Sequence, residues 1–343
     1  MTSGLFPFTA IVGQEELRLA LVLASIDPRI GGVLAFGDRG TGKTTTIRSL
    51  AELLPKTKVI DGCPYGCPAT QGGCKAAPGC PKESGSQSKP VMRGVPCVDL
   101  PLGVGEDRLT GALDIEKAMV EGRKEFQPGL LAAANNGFLY VDEVNLLEDH
   151  IVDILLDVSA SGENIVEKDG FSIKHPSRFV LVGSGNPEEG ELRPQLQDRF
   201  GLAVTVTTPM DPNDRVEILK RRGAFERDPE AFCEAYKFKN GRLRGKISRA
   251  RDNLEAIEIG DEAFKFAAEL CLELGSDGLR GELTLIKAGR AFAALEGRSA
   301  VTIQDLQKLA PLVLTHRLRR DPMSDLPSAA RVERALAACH ERI

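Results

Sequence analysis

Residues Gly37 to Thr44 read Gly-Asp-Arg-Gly-Thr-Gly-Lys-Thr, the G-x-x-x-x-G-K-[ST] spacing of a phosphate-binding loop. Glycines in such a loop let backbone N–H groups turn inward onto phosphate oxygens, and the helix that opens at its end adds its positive pole. Lys43 is spaced to reach the β and γ phosphates of a nucleotide, and the Thr44 hydroxyl to ligate Mg²⁺. Gly37, Asp38, Arg39, Gly40, Thr41 and Gly42 supply the rest of the cradle. A second signal, Phe138-Leu-Tyr-Val-Asp-Glu143, is an apolar run that ends on two carboxylates. Asp142 suits Mg²⁺, held through its water shell, and Glu143 suits an attacking water, which it would orient or deprotonate. The two signals together imply hydrolysis of ATP.

Further polar residues fit the same chemistry. Asn186 follows the run Val182-Gly-Ser-Gly, where an amide can hydrogen-bond the γ-phosphate or the lytic water, although Asn-Pro also starts ordinary turns. Arg193, Arg199 and Arg280 stand in the unusual strings Glu-Leu-Arg-Pro-Gln-Leu-Gln-Asp-Arg-Phe-Gly and Gly-Ser-Asp-Gly-Leu-Arg-Gly-Glu-Leu. A guanidinium fixed near the γ-phosphate, from the same chain or a neighbouring subunit, stabilises transition-state charge.

These residues need a scaffold, and the pattern of the chain predicts one. Val33 to Phe36 is a short apolar strand before the loop, and the helical pattern from Lys43 to Leu54 stops at Pro55. Strand-like runs at Phe138–Val141, Phe179–Val182 and Leu202–Val206 alternate with helical stretches, which predicts a parallel sheet flanked by helices, an α/β fold. Ile151, Ile154, Leu155 and Val158 have the spacing of a helix with one apolar face. Asp-Gly between the arms of Ile165 to Ile173 predicts a hairpin, read either as plain surface or as a working protrusion. From about residue 244 helical patterns take over and predict a C-terminal helical bundle. The expected division is a nucleotide-binding domain over 1–212, a polar connection over 213–243 and the bundle over 244–343.

Composition narrows the class. The 44 basic and 49 acidic side chains give a net charge of -5, which argues against a constitutive nucleic-acid binder. No signal-peptide pattern opens the chain and no run of eighteen apolar residues occurs, so no membrane insertion and a cytoplasmic location are expected, with organelle import of a longer precursor left open.

Beyond the general motifs, Phe8-Thr-Ala-Ile-Val-Gly-Gln-Glu, Val98-Asp-Leu-Pro-Leu-Gly-Val, Gly111-Ala-Leu-Asp-Ile-Glu, Gly183-Ser-Gly-Asn-Pro-Glu-Glu-Gly, Gly275-Ser-Asp-Gly-Leu-Arg-Gly-Glu-Leu and His316-Arg-Leu-Arg-Arg-Asp-Pro closely resemble the ATPase subunit I family of magnesium chelatase. That family belongs to the AAA+ ATPases, and the likeness runs from Phe6 to about Pro322. The resemblance implies a motor that works with subunits D and H to drive ATP-dependent insertion of Mg²⁺ into protoporphyrin IX, toward chlorophyll or bacteriochlorophyll. It also implies a homo-oligomeric ring, expected to be a hexamer although seven subunits would close by the same logic. By the family pattern, Asn186 matches sensor 1, Arg199 the arginine finger offered to a neighbour's ATP and Arg280 sensor 2, while Ile11 and Val12 match the segment beside the adenine. The hairpin corresponds to an insertion that contacts other subunits, and the porphyrin is expected on the large partner of the pair, not on this chain.

One stretch departs from many family members. Cys63, Cys67, Cys74 and Cys80 lie in a Pro- and Gly-rich loop over 61–97, with Cys97 at its end. Their C-x3-C-x6-C-x5-C spacing suits Zn²⁺ or an iron-sulfur cluster, with a redox-switched pair and plain thiols as the other readings. An alternative for the whole chain is an AAA+ remodelling chaperone or activator acting on an unrelated protein complex. Activators of that kind usually carry a DNA-binding helix-turn-helix, where this bundle places an arginine. A helicase would show a basic channel hairpin, and here Glu167, Lys168, Asp169 and Lys174 mix both signs.

Overall fold

A computed structural model describes residues 4–38, 40–69, 89–114, 125–168, 171–186, 192–276, 278–318 and 326–340. In chain order the elements begin α1 (Glu15–Ile26), β1 (Gly32–Gly37), α2 (Lys43–Leu53), β2 (Thr57–Ile60), β3 (Pro90–Arg93), β4 (Cys97–Leu100), α3 (Glu106–Thr110) and β5 (Gly111–Leu113). There follow β6 (Phe126–Pro128), α4 (Leu130–Ala133), β7 (Gly137–Val141), α5 (Asp149–Ser161), β8 (Glu163–Lys168), β9 (Phe171–Pro176) and β10 (Phe179–Gly185). The last are α6 (Pro194–Gln197), β11 (Phe200–Val206), α7 (Pro212–Arg227), α8 (Pro229–Asn253), α9 (Asp261–Leu274), α10 (Arg280–Glu296), α11 (Ile303–Leu314) and α12 (Ser328–His340). The chain forms two compact units, Met1–Leu53 with Leu192–Ile343, and Leu54–Glu191.

In the first unit β1 and β11 run parallel, Val33 opposite Leu202 and Gly37 opposite Val206. Val33, Leu34 and Ala35 are wholly buried, the continuous apolar run that a strand covered on both faces requires. Helix α1 packs on both strands and buries Leu17, Leu21 and Leu23, while α11 packs on β11. Gly201 has no room for a side chain, because a Cβ there would stand 2.0 Å from the Ile30 carbonyl oxygen. The residues expected as a polar connection are helical, in α7 and α8. No residue of α7 is buried, so it carries no apolar stripe from which a helix could be read. Helices α9 and α10 each end on a glycine in the left-handed region, Gly275 at φ 63° and Gly297 at φ 74°. Helix α11 opens with a reciprocal capping box between Thr302 and Asp305.

Just beyond α11, His316 is half-buried, with Nε2 at 2.9 Å from the Phe200 carbonyl and Nδ1 out of water and unpartnered. Burial, then the neighbouring Arg317 charge, push its pKa down to about 3. An unfolded histidine takes up a proton near pH 6.5, so between there and pH 3 the unfolded chain binds a proton that the folded chain refuses. The stability contributed by neutral His316 is therefore full above that range and lost as pH falls through it, by up to about 1.4 kcal/mol per pH unit. Thermal midpoints recorded from pH 7 to pH 5 should fall more steeply for the wild type than for His316→Gln. Equal slopes would refute the linkage.

In the second unit β7 lies between β4 and β10, all parallel, with Leu139 facing Val98 on one side and Leu181 on the other. All of β7 is buried. The expected hairpin is present and longer than its core, pairing Glu163 with Pro176 and Val166 with Ile173; its Asp169-Gly170 turn lies outside the described residues. Its base is anchored by Asn164, whose amide donates to the Thr110 carbonyl at 2.8 Å and meets His175 Nε2 at 2.9 Å. Helix α5 buries Ile151, Val152, Leu155 and Val158, so Val152 takes the inward place expected of Ile154.

The start of the cysteine loop is built into this unit. Tyr65 is fully buried and stacks on His175, ring centroids 4.9 Å apart, while its carbonyl accepts the Asn135 amide at 2.8 Å. Cys63 and Cys67 flank it in a small core with Ile60 and Ala132. Cys67 is disulfide-bonded, and a disulfide sulfur is not a metal-ligating thiolate. Cys74 and Cys80 lie outside the described residues, and among the described residues no group of three or more His, Cys, Asp or Glu is placed to hold a metal ion. In the other unit the buried Cys271 thiol is pushed up to about 12 by burial and by Glu282, which leaves it inert at neutral pH. No helix among the described residues is long and apolar enough to cross a membrane.

Candidate nucleotide site

The phosphate loop leaves β1 at Gly37, where φ is +137° and a Cβ would stand 1.9 Å from the Val206 carbonyl oxygen. Only glycine lets the chain pass β11 there and still turn. Gly40 and Gly42 also have positive φ, 78° and 86°, and Lys43 begins α2, so the loop feeds directly into a helix N-terminus. Lys43 Nζ donates to the Gly37 carbonyl at 2.6 Å and the Asp38 carbonyl at 2.8 Å, and Thr41 Oγ1 donates to the Asp38 carbonyl at 3.0 Å. The lysine thus lies along the loop, its ammonium held by carbonyls that a phosphate can replace. Thr44 is half-buried in the first turn of α2; Arg39 lies outside the described residues.

A residue without a motif role braces this loop. The Gln14 side-chain amide donates to the Thr41 carbonyl, and its Oε1 accepts from Thr46 Oγ1 at 2.8 Å, so one side chain ties the loop to the helix after it. Gln14 itself has φ 53°, next to Gly13 at φ 68°, a bend that turns the side chain toward the loop. Gln14→Ala should raise the KM for ATP by about three- to tenfold with little change in thermal midpoint, since two hydrogen bonds that shape the loop are lost while the core is untouched. An unchanged KM in steady-state ATPase assays would remove Gln14 from the site.

Ile11 and Val12, half-buried, follow a segment gripped by its carbonyls. Arg18 donates to the Ile11 carbonyl at 3.2 Å, Arg221 from α7 to the Ala10 carbonyl at 2.9 Å, and Asn240 from α8 accepts the Thr9 hydroxyl at 2.7 Å. Helices α7 and α8 therefore help to hold the apolar pair in place, a role that their polar composition conceals.

Elsewhere in this unit, Asp198 stands beside Arg199 in the chain and binds Arg280 in space. Arg280 pairs with the Asp198 carboxylate, and Arg317 Nη1 lies 3.1 Å from its other oxygen. No hydrogen bond or ion pair to the Arg199 guanidinium occurs among the described residues. Arg193 stands at the N-cap of α6.

The second unit carries the acidic pair. Asp142 directly follows β7, and its Oδ1 accepts the Tyr140 hydroxyl at 3.0 Å and the Ser184 hydroxyl from β10. Tyr140 and Ser184 are buried and 3.1 Å apart, so the carboxylate is aimed by two hydroxyls on adjacent strands. Glu143 has φ 55°, a left-handed backbone rare for a residue with a side chain, and its N–H meets Ser184 Oγ at 3.4 Å. Asn186 lies just past the end of β10, half-buried. The structure therefore gathers Asp142 and Glu143 with Ser184 in one unit, and the phosphate loop with Gln14, Ile11 and Val12 in the other.

Comparison with known proteins extends over nearly the whole chain. The family described as magnesium chelatase, subunit ChlI, matches residues 114–206, and the AAA lid domain family matches residues 265–335. The magnesium-chelatase 38 kDa subunit of Rhodobacter capsulatus is 55% identical over 336 residues, spanning 98% of this chain and 94% of the relative. The chloroplastic magnesium-chelatase subunit ChlI of Nicotiana tabacum is 51% identical, spanning 95% of this chain and 77% of that relative. Among solved structures, a chain in the cryo-EM-based complex between subunits BchI and BchD of magnesium chelatase superposes with TM-score 0.56 at 53% identity, covering 97% of this chain and 99% of that one. A putative ATPase from Cytophaga hutchinsonii shares the fold at TM-score 0.63 and 17% identity, covering 96% and 90%.

Proposed function

The chain belongs to the magnesium-chelatase ChlI/BchI family of AAA+ ATPase subunits, and from that premise we propose how its residues serve the family's activity, ATP-driven insertion of Mg²⁺ into protoporphyrin IX on the route to chlorophyll or bacteriochlorophyll. Bound MgATP supplies the phosphoryl group whose transfer to water drives the motor. The observation that carries the hydrolytic reading is the glycine loop running into α2 with Lys43 laid along it.

In this reading Lys43 leaves the Gly37 and Asp38 carbonyls for the β and γ phosphates, and the loop N–H groups of residues 37–44 take the remaining oxygens. Thr44 would be a ligand of the Mg²⁺ that accompanies ATP, and the carboxylate of Asp142, aimed by Tyr140 and Ser184, would serve the same ion by the family pattern. Glu143 orients the attacking water and draws off its proton, while Asn186 reports the γ-phosphate. Ile11 and Val12 line the adenine. Arg199 serves the ATP of a neighbouring copy, and Arg280 serves as the sensor from the lid helices. The working assembly is a homo-oligomeric ring, hexameric in this reading, acting on subunits D and H; the latter holds the porphyrin, and Mg²⁺ delivered there is substrate. The hairpin β8–β9 meets another subunit. The cysteine loop has no step in this cycle.

The test combines the purified chain with subunits D and H of a relative, ATP, Mg²⁺ and protoporphyrin IX, and follows the fluorescence change of metal insertion. Insertion that requires both this chain and ATP is the expected result. ATP hydrolysis without insertion, with partners shown to assemble, would favour a remodelling ATPase with another client.

A further inference from the structure

The segment Gln197–Phe200 is tied to the lid helices at every residue except one. Gln197 Nε2 donates to the His316 carbonyl at 2.6 Å. The Phe200 carbonyl accepts both His316 Nε2 at 2.9 Å and Arg317 Nη2 at 3.0 Å. Asp198 takes Arg317 on Oδ1 at 3.1 Å and Arg280 on Oδ2, and its carbonyl accepts Arg280 at 3.2 Å. The exception is the Arg199 guanidinium, which nothing among the described residues engages.

The two arginines on Asp198 are not equivalent. Arg317 is 6% exposed and also donates to the Val313 carbonyl, so it belongs to the packed lid. Arg280 is 47% exposed, stands at the first position of α10 and follows Gly278, whose φ is 65°. One contact to the carboxylate is thus built in, and the other is solvent-facing and open to competition from a stronger anion. A γ-phosphate carries more charge than a carboxylate and binds guanidinium bidentately.

We propose that Asp198 is a positioning residue that exchanges Arg280 with the nucleotide phosphate, so that the state of a subunit's own site is passed to the Arg199 it presents to its neighbour. In the structure Arg280 and Arg317 share the carboxylate. When Arg280 moves to phosphate, the segment keeps its ties to Arg317 and His316 and loses the one to α10, and the backbone on either side of Arg199 is re-set. This rests on the reading of Arg280 as a phosphate ligand and of Arg199 as the finger.

Asp198→Asn removes the competing charge and keeps the size, and the site is half exposed, so the fold is not at stake. Displacement titrations with a fluorescent ATP analogue and its ADP counterpart, on the full chain, should show ATP bound about two- to fivefold more tightly and ADP unchanged, the size expected when one exposed ion pair stops competing. Steady-state turnover should show a lowered KM together with a lowered kcat. Asp198→Glu should restore wild-type affinity, and in an Arg280→Ala background Asp198→Asn should change nothing. A packing role alone would lower kcat and leave ATP affinity unmoved, which overturns the proposal. If Arg280→Ala by itself leaves ATP affinity at the wild-type value, the sensor reading fails first. Weakened ATP binding in Arg280→Ala without tightening in Asp198→Asn overturns the exchange alone.

Discussion

Lys43→Ala should yield a folded protein that neither hydrolyses ATP nor supports Mg²⁺ insertion, with turnover reduced at least about a hundredfold, the usual cost of deleting a charged donor aimed at developing negative charge. Folding should survive because the Lys43 ammonium lies on the Gly37 and Asp38 carbonyls of the loop, which water can take over, and not in the core. The loop itself is shaped by Gly37, Gly40, Gly42 and the Gln14 brace, all intact in the variant. Phosphate release and porphyrin fluorescence, measured beside a thermal melt, separate loss of chemistry from loss of fold. Full insertion activity from Lys43→Ala, with subunits D and H intact, would remove this chain from the motor role.

Arg199→Ala should bind ATP as the wild type does and hydrolyse it about a thousandfold more slowly, the lower end of what a finger contributes. The Arg199 backbone is part of the scaffold, since its carbonyl accepts the Gly32 N–H at 3.3 Å, while its side chain has no partner among the described residues. Truncating the side chain thus leaves the attachment of the segment alone. The decisive arm is a mixture. An equimolar blend of Arg199→Ala and Lys43→Ala chains places an intact loop beside an intact finger at about a quarter of the interfaces of a randomly assembled ring, and activity should return to about that fraction. A blend as dead as its components, under conditions where mixed rings form, would mean that Arg199 acts within its own subunit. Normal turnover by Arg199→Ala would end the finger assignment.

What is legible in the sequence is what local chemistry dictates. A loop needing positive φ at three positions writes itself in glycine, and Gly37, Gly40 and Gly42 all have it. Strand β7 is buried on both faces and therefore spells an unbroken apolar run, and the Asp-Gly turn betrays the hairpin. Residues whose work depends on distant partners leave no such mark. Gln14 is one glutamine among several until its amide is seen on Thr41, and Ser184 is a strand serine until its hydroxyl meets Asp142. Asp198 reads as the neighbour of a candidate arginine; its two guanidinium partners come from 82 and 119 positions further along the chain. Helix α7 reads as a connection because nothing in it is buried, although Arg221 reaches the Ala10 carbonyl from it. Cys63 and Cys67 suggest ligands by spacing, whereas burial around Tyr65 gives them a packing role that spacing cannot express.

The way the first unit is assembled from the two ends of the chain bears on how the protein is made. Strand β1 ends at the phosphate loop, yet its register partner in β11 is Val206 for Gly37, about 170 residues later. A ribosome adding about 5–20 residues per second supplies that partner only after tens of seconds at the slow end, and the lid helices later still. Residues 54–191 are complete in sequence by then, while β1 still lacks β11. The glycine loop therefore gains its β11 neighbour late in synthesis. A prematurely terminated chain holds every residue of the glycine motif and lacks the strand that Gly37 passes.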